Sequence, residues 1–394
     1  MKKDKCFGFI AMVLLGLFTA PGLVAQTTIQ QTYYVNAATG NDANNGRREE
    51  TPFKTMQKAI ESARMGVVKT ITIIGSVDEF RIEGTGSNEI TITGKPDANE
   101  TEKAKINGRV YINEGIVVKF TYVTIENPSG SGIYCEGKVT LGRNAVIQNC
   151  SVGVSLRREQ LVMTDNALIT GCHNGVEQNY LVEVYLIMID DSSITNNQTG
   201  IRSGNSDFSL TMSGNAKISY NQNRGVNCES GIPTGTVVIS GNAEISNNTT
   251  AAGDGGGVYA QNFVMNGGRI INNTASKNGG GVYCTNAKIT GGEISGNQAE
   301  RGGGIYIRHD VYYSPPTTDI TGGVITKNKA DYGAGIFVTN RHSLTISGGS
   351  ITGNEAEFVG GGLYLESGAT YTASSGIITR NIAGDGVGHD VFNQ

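Results

Sequence analysis

Short runs of alternating apolar and polar residues fill most of the chain. In "TVVISGNAEIS" the apolar positions are Val237, Ile239, Ala243 and Ile245, and in "LTMSGNAKIS" they are Leu210, Met212, Ala216 and Ile218. A period of two means β-strands with one face buried, and the Gly/Asn punctuation between runs means tight bends. The runs recur in a fixed frame. I-x-x-N appears at Ile194/Asn197, Ile218/Asn221, Ile245/Asn248, Ile270/Asn273, Ile294/Asn297, Ile325/Asn328, Ile351/Asn354 and Ile378/Asn381. Upstream, "AVIQNC" and "ALITGC" fit the frame with Cys150 and Cys172 in the Asn slot. Self-similarity of this kind is the mark of a solenoid.

Each repeat holds three short strands, x-I-S-G, I-x-x-N and G-[VI]-Y, and no helical segment. Stacked triangular coils of that size predict an all-β, right-handed parallel β-helix of about thirteen coils at ~4.8 Å each, on the order of 60 Å long. Asparagines repeating at one bend are expected to hydrogen-bond up the stack, and the glycines to occupy sharp bends that need positive φ. Residues 26–394 are expected to form one domain, with 26–68 as a strand, loop and capping helix and 69–394 as coils. The helix is predicted over residues 52–65. Thr51 is its N-cap, Pro52 its first position and Gly66 its stop, while Phe53, Met56, Ala59, Ile60 and Ala63 share one face.

Residues 1–25 read as a secretory signal peptide, with Lys2, Lys3 and Lys5 ahead of the apolar run from Phe7 to Ala20 and a cleavage point after Ala25. The mature chain is therefore expected outside the cell or at its surface, without a transmembrane segment. Removal of residues 1–25 takes away three lysines and one aspartate, which shifts the formal charge from −4 to −6. A mildly acidic chain without basic runs gives no footprint for nucleic acid. Gly is 56 of 394, about twice its usual share, and charged residues at 17% are scarce, as suits a turn-dense β protein.

Two resemblances follow from these residues. "YYVNAATGNDANNGRREETPFKTMQKAIESA" resembles the leading segment of pectin-lyase-like β-helix proteins, in which a strand, a Gly-Asp-Asn loop and a short helix precede the coils. The repeats "GGGVY", "GGGIY", "GAGIF" and "GGGLY" resemble those of the chlamydial polymorphic outer membrane proteins, with I-x-x-N in place of their F-x-x-N. The first resemblance implies the fold; the second implies surface display and adhesion. Those membrane proteins end in a β-barrel, and this chain runs only one turn past Asn381, so self-anchoring of that kind is not expected.

Candidate chemistry is sparse. The 31-residue step from Asn297 to Asn328 holds "IRHDVYYSPP", where Arg308, His309 and Asp310 beside two tyrosines form a candidate sugar-binding insertion. "GNDANNG" has partial calcium-loop spacing at Asp42 but no closing acidic ligand. His173, His342 and His389 stand apart from metal-ligand spacing, and no cofactor is expected. Cys135, Cys228 and Cys284 fall in a core-facing slot. Cys150 and Cys172, on consecutive coils, either pair as a disulfide or stack as thiols.

The residue after G-G-G-[VIL] is Tyr259, Tyr283, Tyr306, Phe337 and Tyr364 on successive coils. By alternation these rings point outward, either as an exposed binding stripe or as a cross-coil stack. The favoured reading is a secreted, non-catalytic β-helix that binds a glycan or cell-surface partner. The alternative is a polysaccharide lyase or glycoside hydrolase on the same scaffold, which calls for clustered charges on one face.

Overall fold

A computed structural model describes residues 32–65, 69–84, 89–96, 103–179, 182–204, 208–228, 235–309 and 317–394. Residues 1–25, expected to be a signal peptide, Gly66 and Asp310 lie outside them. The chain winds into a right-handed parallel β-solenoid of about twelve turns. Strands pair in parallel with their counterparts on the neighbouring coils. Ile194, for example, lies in register with Ile169 below and Ile218 above.

Alternation decides what fills the interior. Leu186, Met188, Leu210, Met212, Val237 and Ile239 point inward from the first face and have no solvent exposure. Ile194, Ile218 and Ile245 do so from the second face, and Val176, Ile201 and Val226 from the third. Cys135, Cys228 and Cys284 lie in the third-face inward column, as their slot predicted. Cys150 and Cys172 are free thiols, which settles the choice left open by their spacing. The hydrogen bond between them and burial push the Cys150 thiol up.

The asparagine ladder is continuous from Asn197 to Asn381. The Oδ1 of Asn297 accepts the backbone N–H of Asn273 at 2.9 Å and its Nδ2 at 3.0 Å. In turn Asn297 donates from Nδ2 to Oδ1 of Asn328 at 3.0 Å and to the carbonyl of Ile270 at 2.9 Å. The same pattern repeats on each rung, and at the last one Asn381 donates its backbone N–H and its Nδ2 to Oδ1 of Asp390. The residue before each ladder position takes a left-handed conformation, as at Asn196 (φ 56°), Asn247 (φ 54°) and Asn272 (φ 56°). Short Asx side chains tolerate that region best, which accounts for the doubled asparagines.

Two features depart from the predicted layout. The helix, α1, spans Met56–Met65 and starts four residues later than expected. Phe53 is held instead by backbone bonds to Tyr34 and Asn36 at the end of strand β1 (Thr32–Val35). Thr55, not Thr51, caps the helix, accepting the N–H of Lys58 at 3.2 Å. Asp42 accepts the N–H groups of Lys54 and Thr55, both at 2.9 Å, so its carboxylate ties the loop to the helix start rather than serving a calcium loop. Met56, Ala59, Ile60 and Ala63 are buried in the core.

The second departure is a fourth run of strands. Thr249–Thr250, Thr274–Ala275, Gln298–Arg301, Lys329–Tyr332, Glu355–Val359 and Ile382–Ala383 form a separate six-stranded sheet. It follows the ladder asparagine only where the connection is long: Ile201 comes four positions after Asn197, but Val258 comes ten after Asn248. The sheet stands as a ridge beside the third face. Its inward column is small, with Ala275, Ala299, Ala330, Ala356 and Ala383 all buried.

Candidate binding face

The aromatic residues single out the third face. Its central outward column runs in register from Arg81 through Tyr111, Tyr134, Ser155, Glu177, Arg202, Asn227 and Tyr259 to Tyr283, Tyr306, Phe337, Tyr364 and Phe392. The five predicted rings therefore form one stack. Ring centroids are 4.6 Å apart for Tyr259 and Tyr283, 5.1 Å for Tyr283 and Tyr306, 5.1 Å for Tyr306 and Phe337, and 4.6 Å for Phe337 and Tyr364.

Of the two arrangements open for these rings, the structure has the cross-coil stack, with Tyr259, Tyr283 and Tyr364 half-buried. Tyr306 is 9% exposed and Phe337 only 3%. Rings whose planes lie within 5° to 9° of one another, as along Tyr283, Tyr306 and Phe337, cover each other's faces and leave only edges outward. Arg224 lies over Tyr259 at 5.1 Å, and Tyr332 and Phe392 pack against Tyr364. Beneath the rings, glycines supply the space. Gly279 has φ +66°, and a Cβ there would sit 2.9 Å from the Cβ of Tyr283. The stack coincides with the ridge, and the rings fill the space that the long connections create. Burial holds the Tyr283 phenol well above its ordinary range and pushes Tyr306 up to about 12.

Sequence reading missed three members of this column. Tyr111 and Tyr134 stack as a tilted pair at 5.7 Å near the N-terminal end, with Arg81 over Tyr111 and Arg157 over Tyr134. Phe392 ends the column. All three sit in a degenerate form of the same motif, "GRVY", "SGIY" and "GHDVF".

Between the two aromatic runs lies a polar window in the same column: Ser155, Glu177, Arg202 and Asn227. Here, among the described residues, the ridge is absent. Glu177 accepts from Nδ2 of Asn174 at 2.8 Å and from Nδ2 of Asn179, and Arg202 is exposed.

Of the predicted insertion, Arg308 and His309 fall among the described residues. Arg308 belongs to the packed face: its guanidinium donates to Thr285 at 3.1 Å and to the Tyr259 hydroxyl at 3.5 Å, and lies over Tyr283. His309 is half-buried, and Asp310 lies outside the described residues. Among the described residues, no group of three or more His, Cys, Asp or Glu is placed to hold a metal ion.

His342, which by sequence only stands apart from metal-ligand spacing, is a buried titratable group. Thr318 occupies an inward slot that Ala287 and Leu344 fill on adjacent coils, and its hydroxyl lies 3.0 Å from Nε2 of His342. Nδ1 has no partner among the described residues. Burial, with a smaller contribution from the nearby His309, pushes the imidazole down to about 4. The unfolded state then takes up the proton first. The stabilisation from keeping His342 neutral is complete above pH ~6.5 and is lost as the pH falls toward about 4. Urea midpoints measured across that window should drop for the wild type and drop less for His342→Gln; parallel profiles would place the pH dependence elsewhere.

No protein-family model matches the chain, and no curated protein matches it. Among solved structures it is similar to one described as the crystal structure of pectate lyase Pel9A, at 14% identity and a TM-score of 0.28 over 87% of this chain and 77% of that one.

Proposed function

We propose that this protein is a secreted or surface-associated, non-catalytic β-helix that binds a glycan or another cell-surface component through the polar window of its third face. The observation that carries this reading is the single interruption of the aromatic column. Over Ser155, Glu177, Arg202 and Asn227 the rings are missing and, among the described residues, so is the ridge; the exposed Arg202 and half-buried Glu177 stand on a rigid parallel sheet, with Ser155 and Asn227 buried beside them. Such a site costs little ordering on binding, because its backbone is fixed by the coils on either side.

The closed ring faces support the window over the aromatic column as the contact. A sugar stacks on an open ring face, and the faces of Tyr283, Tyr306 and Phe337 are occupied by their neighbours. The column places Ser155 and Arg202 on either side of Glu177. A hydrolase sets a second carboxylate about 5 to 9.5 Å from the first. This arrangement supports binding over hydrolysis.

Binding to a glycan array and to whole cells tests the reading. Arg202→Glu and Glu177→Ala should each abolish the strongest signals while leaving the melting temperature unchanged. Retained binding in both variants would remove the window from the interaction. Ultraviolet absorbance from unsaturated uronate products on incubation with acidic polysaccharides would replace binding with lyase chemistry.

A further inference from the structure

The first face breaks the alternation rule at its centre. On the strand Val184–Met188, Val184, Leu186 and Met188 fill the core, yet the outward residues Tyr185 and Ile187 are apolar as well, as is Ile189 just beyond. Neighbouring rungs set Val162, Thr211, Val238 and Val264 in register with Ile187. A strand apolar on both sides is the pattern of a sheet covered on both faces, whereas a face left in water alternates. Val162, Ile187, Val238 and Val264 are half-buried, and Tyr185 beside them is 41% exposed.

The charges flanking the strip are arranged about its centre. Counting from Thr211, four rungs toward the N-terminus lead through Ile187, Val162 and Thr140 to Lys119. Four rungs the other way lead through Val238, Val264 and Lys288 to Asp319. The column thus carries two apolar residues on each side of Thr211, Val162 and Ile187 against Val238 and Val264, and opposite charges four rungs away on either side.

We propose that this face docks against the same face of a second copy of the chain, with the two solenoid axes antiparallel. A two-fold axis along the strand direction carries each rung onto the rung equally far on the other side of Thr211. Ile187 then meets Val238 of the second copy, Val162 meets Val264, and Lys119 meets Asp319, each contact occurring twice. The alternative two-fold axis, along the solenoid, sets every rung against itself. It would place Lys119 on Lys119, Lys288 on Lys288 and Asp319 on Asp319, and like charges facing across an interface oppose that arrangement. The antiparallel geometry is also the ordinary aligned packing of two flat sheets, ~10 Å apart.

The area is adequate. Eight rung steps at ~4.8 Å give a strip ~38 Å long, and outward columns ~7 Å apart make it ~18 Å wide. That amounts to roughly 700 Å² per copy, close to the ~800 Å² per partner of a standard specific interface. The inference stands apart from the binding reading, because it uses a different face and leaves the polar window open.

Analytical ultracentrifugation of the purified protein tests it. The wild type should sediment as a concentration-dependent dimer. Ile187→Lys places a charge at the centre of the strip on an outward position and should give a monomer with an unchanged melting temperature. Lys119→Asp and Asp319→Lys should each weaken the dimer about tenfold, since each turns two attractive contacts into repulsive ones. The double exchange Lys119→Asp/Asp319→Lys should restore wild-type association. A wild type that stays monomeric at ~100 μM, far above the Kd of a specific interface of this size, overturns the proposal. A dimer indifferent to Ile187→Lys, or single and double charge exchanges that behave alike, also overturns it.

Discussion

Asn297→Ala is expected to destabilise the solenoid by about 3 to 4 kcal/mol, more than a single buried hydrogen bond contributes. The side chain accepts two bonds from Asn273 and donates one each to Asn328 and Ile270, and Asn297 is fully buried. Alanine leaves the backbone N–H of Asn273 without an acceptor in a site closed to water, and each such orphan costs about 1 to 3 kcal/mol. Relaxation is restricted, because the next strand lies against the ladder. A Cβ on Gly281 would sit 2.6 Å from the carbonyl of Gly304 and 3.0 Å from Nδ2 of Asn297. Urea denaturation followed by circular dichroism measures the effect. A midpoint within error of the wild type would mean that water reaches the bend.

Phe337→Ala is expected to cost a similar amount, about 3 to 5 kcal/mol, the usual range for truncating a buried phenylalanine. The ring is 3% exposed and lies between Tyr306 and Tyr364 at 5.1 Å and 4.6 Å. Removing it opens a cavity between the third face and the ridge and takes a stacking partner from both neighbours, each pair being worth ~0.5–1.5 kcal/mol beyond burial. An exposed ring would cost far less. Thermal melts of Phe337→Ala beside Arg202→Ala, an exposed position in the same column, separate the two cases. Equal melting temperatures would restore the picture of a water-facing stripe.

Both expected results bear on why the third face has two textures. The ridge begins at Thr249, and from Tyr259 onward the outward column is aromatic without a break. Where the connection after the ladder is short, the same column carries Ser155, Glu177 and Arg202. From Thr249 onward the long connections fold back as the ridge and pack over the column, whereas Arg202, beside a short connection, is exposed.

Local pattern determined much of this protein. Period-two alternation fixed which residues of "TVVIS" and "LTMS" enter the core, and the I-x-x-N frame placed Asn197 through Asn381 at one bend, because an amide repeating every coil has a neighbour at hydrogen-bonding distance whatever else the chain does. The thiols in the slots of Cys135, Cys228 and Cys284 were placed inside by the same frame. The ridge was legible too, in the N-x-A sequence at Asn273, Asn297, Asn328, Asn354 and Asn381, but its meaning depended on a surface for the alanines to pack against. Tertiary structure alone decided the rest. Alternation says that Tyr306 leaves the core, yet only the folded ridge shows that leaving the core is not the same as reaching water. It likewise bonded Arg308 to Thr285, and it moved the start of α1 from Pro52 to Met56, because Phe53 was taken up by backbone bonds to β1. The symmetry of Lys119 and Asp319 about Thr211 is invisible along the chain, where they are separated by unequal repeats; it exists only once each coil counts as one rung.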